Sequence, residues 1–247
     1  MRHAERWLLR RPLGVGALLS LVLLGGLAHA DAATQWRVPD TMAQRTLACT
    51  PCHGKEGRAT NAGYFPRIAG KPTEYLYNQL INFREGRRTY PAMTHLVDHL
   101  SDDYLREIAG HFADVRLPYP APQTVDAPAQ VLARGHALVM QGDAQRQIPA
   151  CVACHGAAMT GELPATPGLL GLPRDYLLGQ LGAWQNGKRR ANAPDCMAQV
   201  AQRLSVADVS ALATWLSAQP LPANTQAVAP GSTPRPLDCG HALPPKR

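Results

Sequence analysis

No stretch of this 247-residue chain alternates apolar and polar residues as a half-buried strand does, which argues against a sheet-based architecture and leaves an all-α class. The one long apolar run, Leu13 to Leu27, is broken by glycine and short of the roughly 20 residues a spanning helix needs, and no other segment could cross a membrane. A concentrated basic face is missing as well. The formal charge is +7, but residues 1–30 hold Arg2, Arg6, Arg10 and Arg11 against Glu5, so +3 belongs to that stretch and +4 to the remainder. Eleven basic residues stand against ten acidic ones over 31–117, and seven against six over 118–219. Nucleic-acid binding, which calls for a basic stripe or patch, is excluded.

Cysteine is scarce too, six in the chain, and four of the six fall into two copies of one motif. Cys49-Thr50-Pro51-Cys52-His53 recurs as Cys151-Val152-Ala153-Cys154-His155, each followed by glycine. C-x-x-C-H is the attachment signature of a c-type haem: the two thiols add to the two vinyl groups, and the next residue supplies an imidazole to the iron. Neither copy has the second pair of ligands a structural zinc site needs. Two covalent haems are expected, held through Cys49, Cys52, Cys151 and Cys154, with His53 and His155 as iron ligands. Four haem propionates would bring the net charge close to neutral.

Residues 1–30 combine four arginines, an apolar run and Ala28-His29-Ala30, the pattern of a cleaved secretory signal peptide. That places the mature chain in the periplasm. The rest divides by an internal repeat. Tyr75, Gln79, Phe83 and Gly86 recur as Tyr176, Gln180, Trp184 and Gly187 at a constant offset of 101. Expected domains are 31–117 and 129–219, joined by a proline-rich linker over 118–128 and followed by a proline-rich tail over 220–247. Leu76, Leu80 and Phe83, like Leu177, Leu181 and Trp184, share one helix face. Ser101 and Ser205 each cap a closing helix. Further helices are expected before the motifs, at Asp40–Ala48 and Pro128–Met140.

The sixth iron position decides between an open, reactive centre and a closed one of higher potential. Met93 lies 40 residues after His53, Met197 lies 42 after His155, and each stands eight residues before its capping serine. That double register makes them the expected thioether ligands. Met42 and Met140 read as core-filling residues, and Met159 is too close to its motif to reach the far face. His95, His99, His111 and His136 have no counterparts in the other copy and read as surface residues. Pro66 and Pro167 either supply the carbonyl that orients each histidine or are simply turn prolines. Tyr75 and Tyr176, with Arg87 and Lys188, are candidates for haem propionates or for the domain interface.

C-x-x-C-H-G, then F-P-x-x-A-G, then Y-L-x-x-Q-L-x-x-F-x-x-G-x-R, then a methionine and a serine-capped helix together resemble the cytochrome c4 family over nearly all of 40–219. The resemblance implies two tandem class I cytochrome c folds related by a pseudo-twofold axis. It also implies a periplasmic carrier of single electrons between respiratory donors and a terminal oxidase, sometimes loosely associated with the inner membrane. Its partners would be redox proteins: a terminal oxidase, a dehydrogenase or a quinol-oxidising complex. The second copy departs from the pattern with Thr166-Pro167-Gly168-Leu169-Leu170-Gly171, with Cys196 beside Met197, and with a cysteine-bearing tail.

Cys196 and Cys239 remain once four cysteines serve haem. In an oxidising compartment they are expected to form a disulfide that pins the tail across the Met197 loop. The competing reading puts a Cys196 thiolate on the iron, as in thiosulfate-oxidising cytochromes. The main functional expectation is a non-enzymatic carrier. The alternatives are a dehydrogenase's cytochrome subunit, a thiosulfate-oxidising cytochrome or a dihaem peroxidase.

Overall fold

A computed structural model describes residues 38–60 and 63–240; the expected signal peptide lies outside the described residues. Among the described residues ten α-helices follow in order: α1 (Met42–Arg45), α2 (Thr50–His53), α3 (Thr73–Arg84), α4 (Pro91–Val97), α5 (Asp102–Asp114), α6 (Ala129–Met140), α7 (Val152–His155), α8 (Arg174–Gln185), α9 (Cys196–Arg203) and α10 (Val206–Ser217). Among the described residues the only sheet is a two-residue ladder, β1 (Gly161–Glu162) against β2 (Thr166–Pro167), so the fold is all-α in substance.

Local chemistry places the long helices. Ser101 accepts a hydrogen bond from the Tyr104 amide (3.2 Å) and starts α5. Asp102 and Asp103 in its first turn complement the helix dipole. Ser205 starts α10 with a reciprocal box: the Asp208 amide donates to Ser205 Oγ (3.1 Å) and the Ser205 amide donates to Asp208 Oδ2 (3.0 Å). Past the C-terminal ends of α3 and α8, Gly86 and Gly187 take φ of +71° and +73°, a left-handed turn that any side chain would strain.

Two apolar cores result. In the first half, Leu76, Tyr77, Ile81 and Phe83 of α3 pack against Leu105, Ile108 and Phe112 of α5. In the second, α8 and α6 close on α10 through Leu177, Leu138, Val139, Leu212 and Leu216. Gly135 of α6 lets the two backbones approach: a Cβ there would lie 2.4 Å from the Ala211 carbonyl oxygen.

The helix before the second motif forms as expected, but the one before the first is a single turn, α1, followed by a 3₁₀ turn over Leu47–Cys49. Packing explains the difference. α6 buries Gly135, Leu138 and Val139, whereas α1 has no fully buried residue and reaches α5 chiefly through Arg45, which pairs with Glu107 and lies over the Tyr104 ring. Met140 also departs from expectation. It is 41% exposed at the end of α6, because the face carrying Leu138 and Val139 meets α10. Met159 is instead the buried methionine of the second core.

The linker is extended and held from both sides. Arg67 donates to the carbonyls of Leu117 (2.7 Å) and Pro118 (3.0 Å), and the Gln123 amide donates to the Ser217 carbonyl (2.9 Å). The two halves meet edge to edge through a reciprocal pair of backbone hydrogen bonds, Thr89 to the Lys188 carbonyl (2.8 Å) and Arg190 to the Arg87 carbonyl (2.7 Å). Since 89 and 190, like 87 and 188, differ by the repeat offset of 101, this junction follows a local pseudo-twofold axis.

Candidate haem sites

Each C-x-x-C-H motif folds as one helical turn, α2 or α7, which sets its two cysteines i, i+3 on a common side. Gly54, at φ +72°, then reverses the chain so tightly that a Cβ would meet the Ala59 carbonyl oxygen at 2.3 Å. None of the four motif cysteines is in a disulfide. Burial disfavours the thiolate at three of them, pushing Cys49 and Cys154 up and Cys151 to about 12.

His53 and His155 are buried, and the Nδ1 of each lies against a carbonyl, that of Pro66 at 3.0 Å and that of Pro167 at 2.7 Å. A carbonyl only accepts, so Nδ1 carries the proton and Nε2 keeps its lone pair. Burial lowers both imidazoles' affinity for a second proton against the opposing pull of these carbonyls, and Arg88 or Lys71 nearby adds to the lowering. Each ring is thus a neutral, oriented donor of the kind an iron takes up. Lys71 is itself buried and donates to the Gly168 carbonyl (3.1 Å); burial pushes its ammonium down to about 8.

Met93 on α4 and Met197 on α9 line the same cavity as these histidines and thiols. The cavity is continuous through both halves, about 480 Å³, with Leu80, Phe83, Leu181 and Trp184 among its apolar walls. Asp195 caps α9 by accepting from the Ala198 amide (3.0 Å) and fixes the turn that carries Met197. Cys196, one residue earlier, is bonded to Cys239 (Cα–Cα 5.3 Å), so no thiol stands free there to act as an iron ligand.

Tyr75 and Tyr176 sit where the halves meet and line the cavity. Arg87 and Lys188 meet the junction through their carbonyls and not their side chains: the Arg87 guanidinium turns to Asn82 (2.6 Å) and to an ion pair with Glu85, and Lys188 stays exposed at the cavity rim. Their neighbours Arg88 and Arg189 go inside instead. Arg88 donates to Gln79 (3.0 Å), Gln180 (2.7 Å) and the Tyr176 hydroxyl (3.2 Å). Arg189 mirrors it with Gln180 (2.8 Å) and Gln79 (3.0 Å). Each guanidinium stacks on the equivalent ring, Arg88 over Phe83 at 4.5 Å and Arg189 over Trp184 at 3.8 Å. Burial, with Arg88 beside it, pushes Arg189 below its ordinary value. The signal was present in the G-x-R ending of both repeats, where the arginine two residues past the glycine is the same in each copy.

Haem fits these residues. Paired thiols, a proton-fixed imidazole and a thioether border one apolar space in each half. At the junction, two buried guanidiniums have only neutral acceptors among the described residues. A buried cation calls for an anion, and a haem carries two carboxylates.

No family model matches the chain. It is 34% identical over 205 residues to the thiosulfate dehydrogenase electron acceptor of Thiomonas intermedia, covering 83% of this chain and 91% of that protein. Against cytochrome c4 of Pseudomonas aeruginosa it is 32% identical over 206 residues, covering 81% and 96%. The crystal structure of reduced recombinant cytochrome c4 from Pseudomonas stutzeri superposes with a TM-score of 0.62 at 28% identity, covering 72% of this chain and 96% of that one.

Proposed function

Since the chain belongs to the cytochrome c4 family of dihaem electron-transfer proteins, with two covalently bound haem c groups, we propose that it acts in the periplasm as a non-enzymatic carrier of single electrons. Residues 31–117 and 129–219 each form one haem domain in this reading. Cys49 and Cys52, or Cys151 and Cys154, attach the group, and His53 with Met93, or His155 with Met197, ligate its iron. When bound, the haems supply two iron centres that cycle by one electron each between ferric and ferrous.

The chain's own residues do the rest. The Pro66 and Pro167 carbonyls hold the imidazole tautomer, so that Nε2 is always the ligating atom. As iron ligands the two thioethers would leave no position open to small molecules, which favours electron transfer over turnover of a substrate. Arg88 and Arg189, stacked on Phe83 and Trp184, would neutralise haem carboxylate at the junction. The observation that carries the reading is the duplication itself: the same thiol, imidazole and thioether set lines both ends of one cavity.

The donor best supported is a thiosulfate-oxidising dehydrogenase, because a relative 34% identical over most of its length is an electron acceptor of thiosulfate dehydrogenase. A terminal oxidase or another oxidising complex is the onward acceptor. Mixing the ferric holoprotein with thiosulfate alone should leave it oxidised, and adding a thiosulfate dehydrogenase should reduce both haems. Steady oxidation of thiosulfate by this chain alone would make it an enzyme. Failure to accept electrons from the dehydrogenase would send the search to other donors.

A further inference from the structure

The two halves repeat the same site but do not present it equally. Around the first motif Leu47, Ala48 and Pro51 are exposed, while their counterparts at an offset of 102, Pro149, Ala150 and Ala153, are half-covered. On the methionine side Ala92, His95 and Leu96 are exposed, while their counterparts at an offset of 104, Cys196, Gln199 and Val200, are again half-covered. Leu47 is 56% and Leu96 40% exposed, high values for leucines beside an apolar cavity.

The C-terminal tail accounts for much of the difference, because it is anchored on both banks of the second site. On the motif bank the Arg235 amide donates to the Ala153 carbonyl (3.1 Å), and its guanidinium pairs with Glu162 (2.7 Å), a carboxylate with no exposed surface that also accepts from the Gly231 amide (3.0 Å). On the methionine bank Cys239 is bonded to Cys196, and the Gly240 amide donates to the Pro194 carbonyl (2.8 Å). Gly240 lies so close that a Cβ would meet the carbonyl oxygens of Asn192 and Ala193 at 2.4 Å. Arg235 and Cys239, with Leu237 between them, line the cavity itself.

We propose that residues 226–240 are a fixed strap that closes the second site to protein partners, so that a redox protein with an apolar, uncharged face docks at the first site around Leu47, Pro51 and Leu96. The inference rests on the electron-carrier reading. A carrier needs at least one mouth at which a partner's cofactor comes close, and here one mouth is strapped and the other open. The partner's face follows from the rim: Ala48, Ala92 and Leu96 line the mouth with the exposed Leu47 and Pro51 beside them, and Arg45, which also lines it, is held by Asp40 and Glu107, so contact is apolar and its rate depends weakly on salt.

The test uses the full-length ferric holoprotein and two reductants, a reduced single-haem c-type cytochrome of lower potential and the small molecule hydroquinone. Leu47→Asp combined with His95→Asp should slow reduction by the cytochrome at least tenfold at an unchanged final electron count, with a far smaller effect on hydroquinone. Severing the strap, by ending the chain after Gln219 or by the milder pair Arg235→Ala and Cys239→Ser, should restore the cytochrome rate in that background by opening the second mouth. Full-rate reduction of the Leu47→Asp/His95→Asp variant by the cytochrome would overturn the proposal, as would a rate that stays low in both severed variants. A wild-type holoprotein whose haems take up no electrons even from the strong reductant dithionite would instead overturn the carrier reading on which the proposal rests.

Discussion

Replacing Cys239 by serine removes the covalent anchor of the tail while leaving its polar anchors in place. Val228 still pairs with Gly161 and Leu163 at 2.9 Å, and Arg235 still pairs with Glu162. The native conformation should therefore persist, and the effect falls on the unfolded chain, which regains the freedom of a 43-residue loop. In the chain-entropy treatment that freedom is worth about 4 kcal/mol at 25 °C, an upper value because measured disulfides deliver less. With a guanidinium slope of about 2–6 kcal/mol per molar, the unfolding midpoint of the second half should fall by about 0.7–2 M with the slope unchanged. Helical circular dichroism of oxidised holoprotein measures it. A midpoint that moves by less than about 0.3 M would refute the reasoning, since even half the expected stabilisation exceeds that at a mid-range slope. Thiol titration of the unfolded, unreduced holoprotein checks the bond itself: none should titrate, and two would refute it.

Met93→Ala and Met197→Ala should each convert one haem from low spin and lower its potential while the covalent haem stays; an unchanged spectrum and potential would show that the methionine replaced is no ligand. At Asp208, burial pushes the carboxyl up, and Arg146, the Ser205 amide and Arg134 outweigh that and hold it well below the ordinary carboxylate range. A depressed folded value means stability that is complete above the unfolded value of about 3.9 and is lost as pH falls below it. Asp208→Asn should thus cost about 3 kcal/mol at neutral pH, the low end for a broken buried pair because both arginines are partly exposed, and it should flatten the fall of Tm below about pH 4. An unchanged acid limb would contradict the assignment. Gly135→Ala should destabilise the second half by about 1–3 kcal/mol through forced separation of α6 and α10, and an equal Tm would show that the helices yield more easily than their spacing implies.

The features legible in the sequence were those set by short-range chemistry. The paired motifs, the serine caps, the glycine stops and the repeat offset each depend on a few neighbouring residues, and the structure places all of them as the spacing implies. What failed were features settled by tertiary packing. Whether the segment before a motif makes three turns or one depends on how much of it is buried against the closing helix, a whole face of α6 on α10 but chiefly Arg45 of α1 on α5. Arg88 rather than Arg87 faces inward because the Thr89 and Arg190 amides pair across the junction and fix which side of the backbone faces the cavity. The pairing of Glu162 with Arg235 joins residues 73 positions apart, and no local pattern announces it.

The central claim, two closed His/Met haems in one carrier, is tested most directly by the visible and near-infrared spectrum of the purified holoprotein during a reductive titration. The account expects two low-spin haems per chain, two electrons taken up, and in the ferric form the weak near-infrared charge-transfer band of histidine–methionine ligation. A high-spin component, or a haem lacking that band, would leave an iron position open or differently filled and contradict the account.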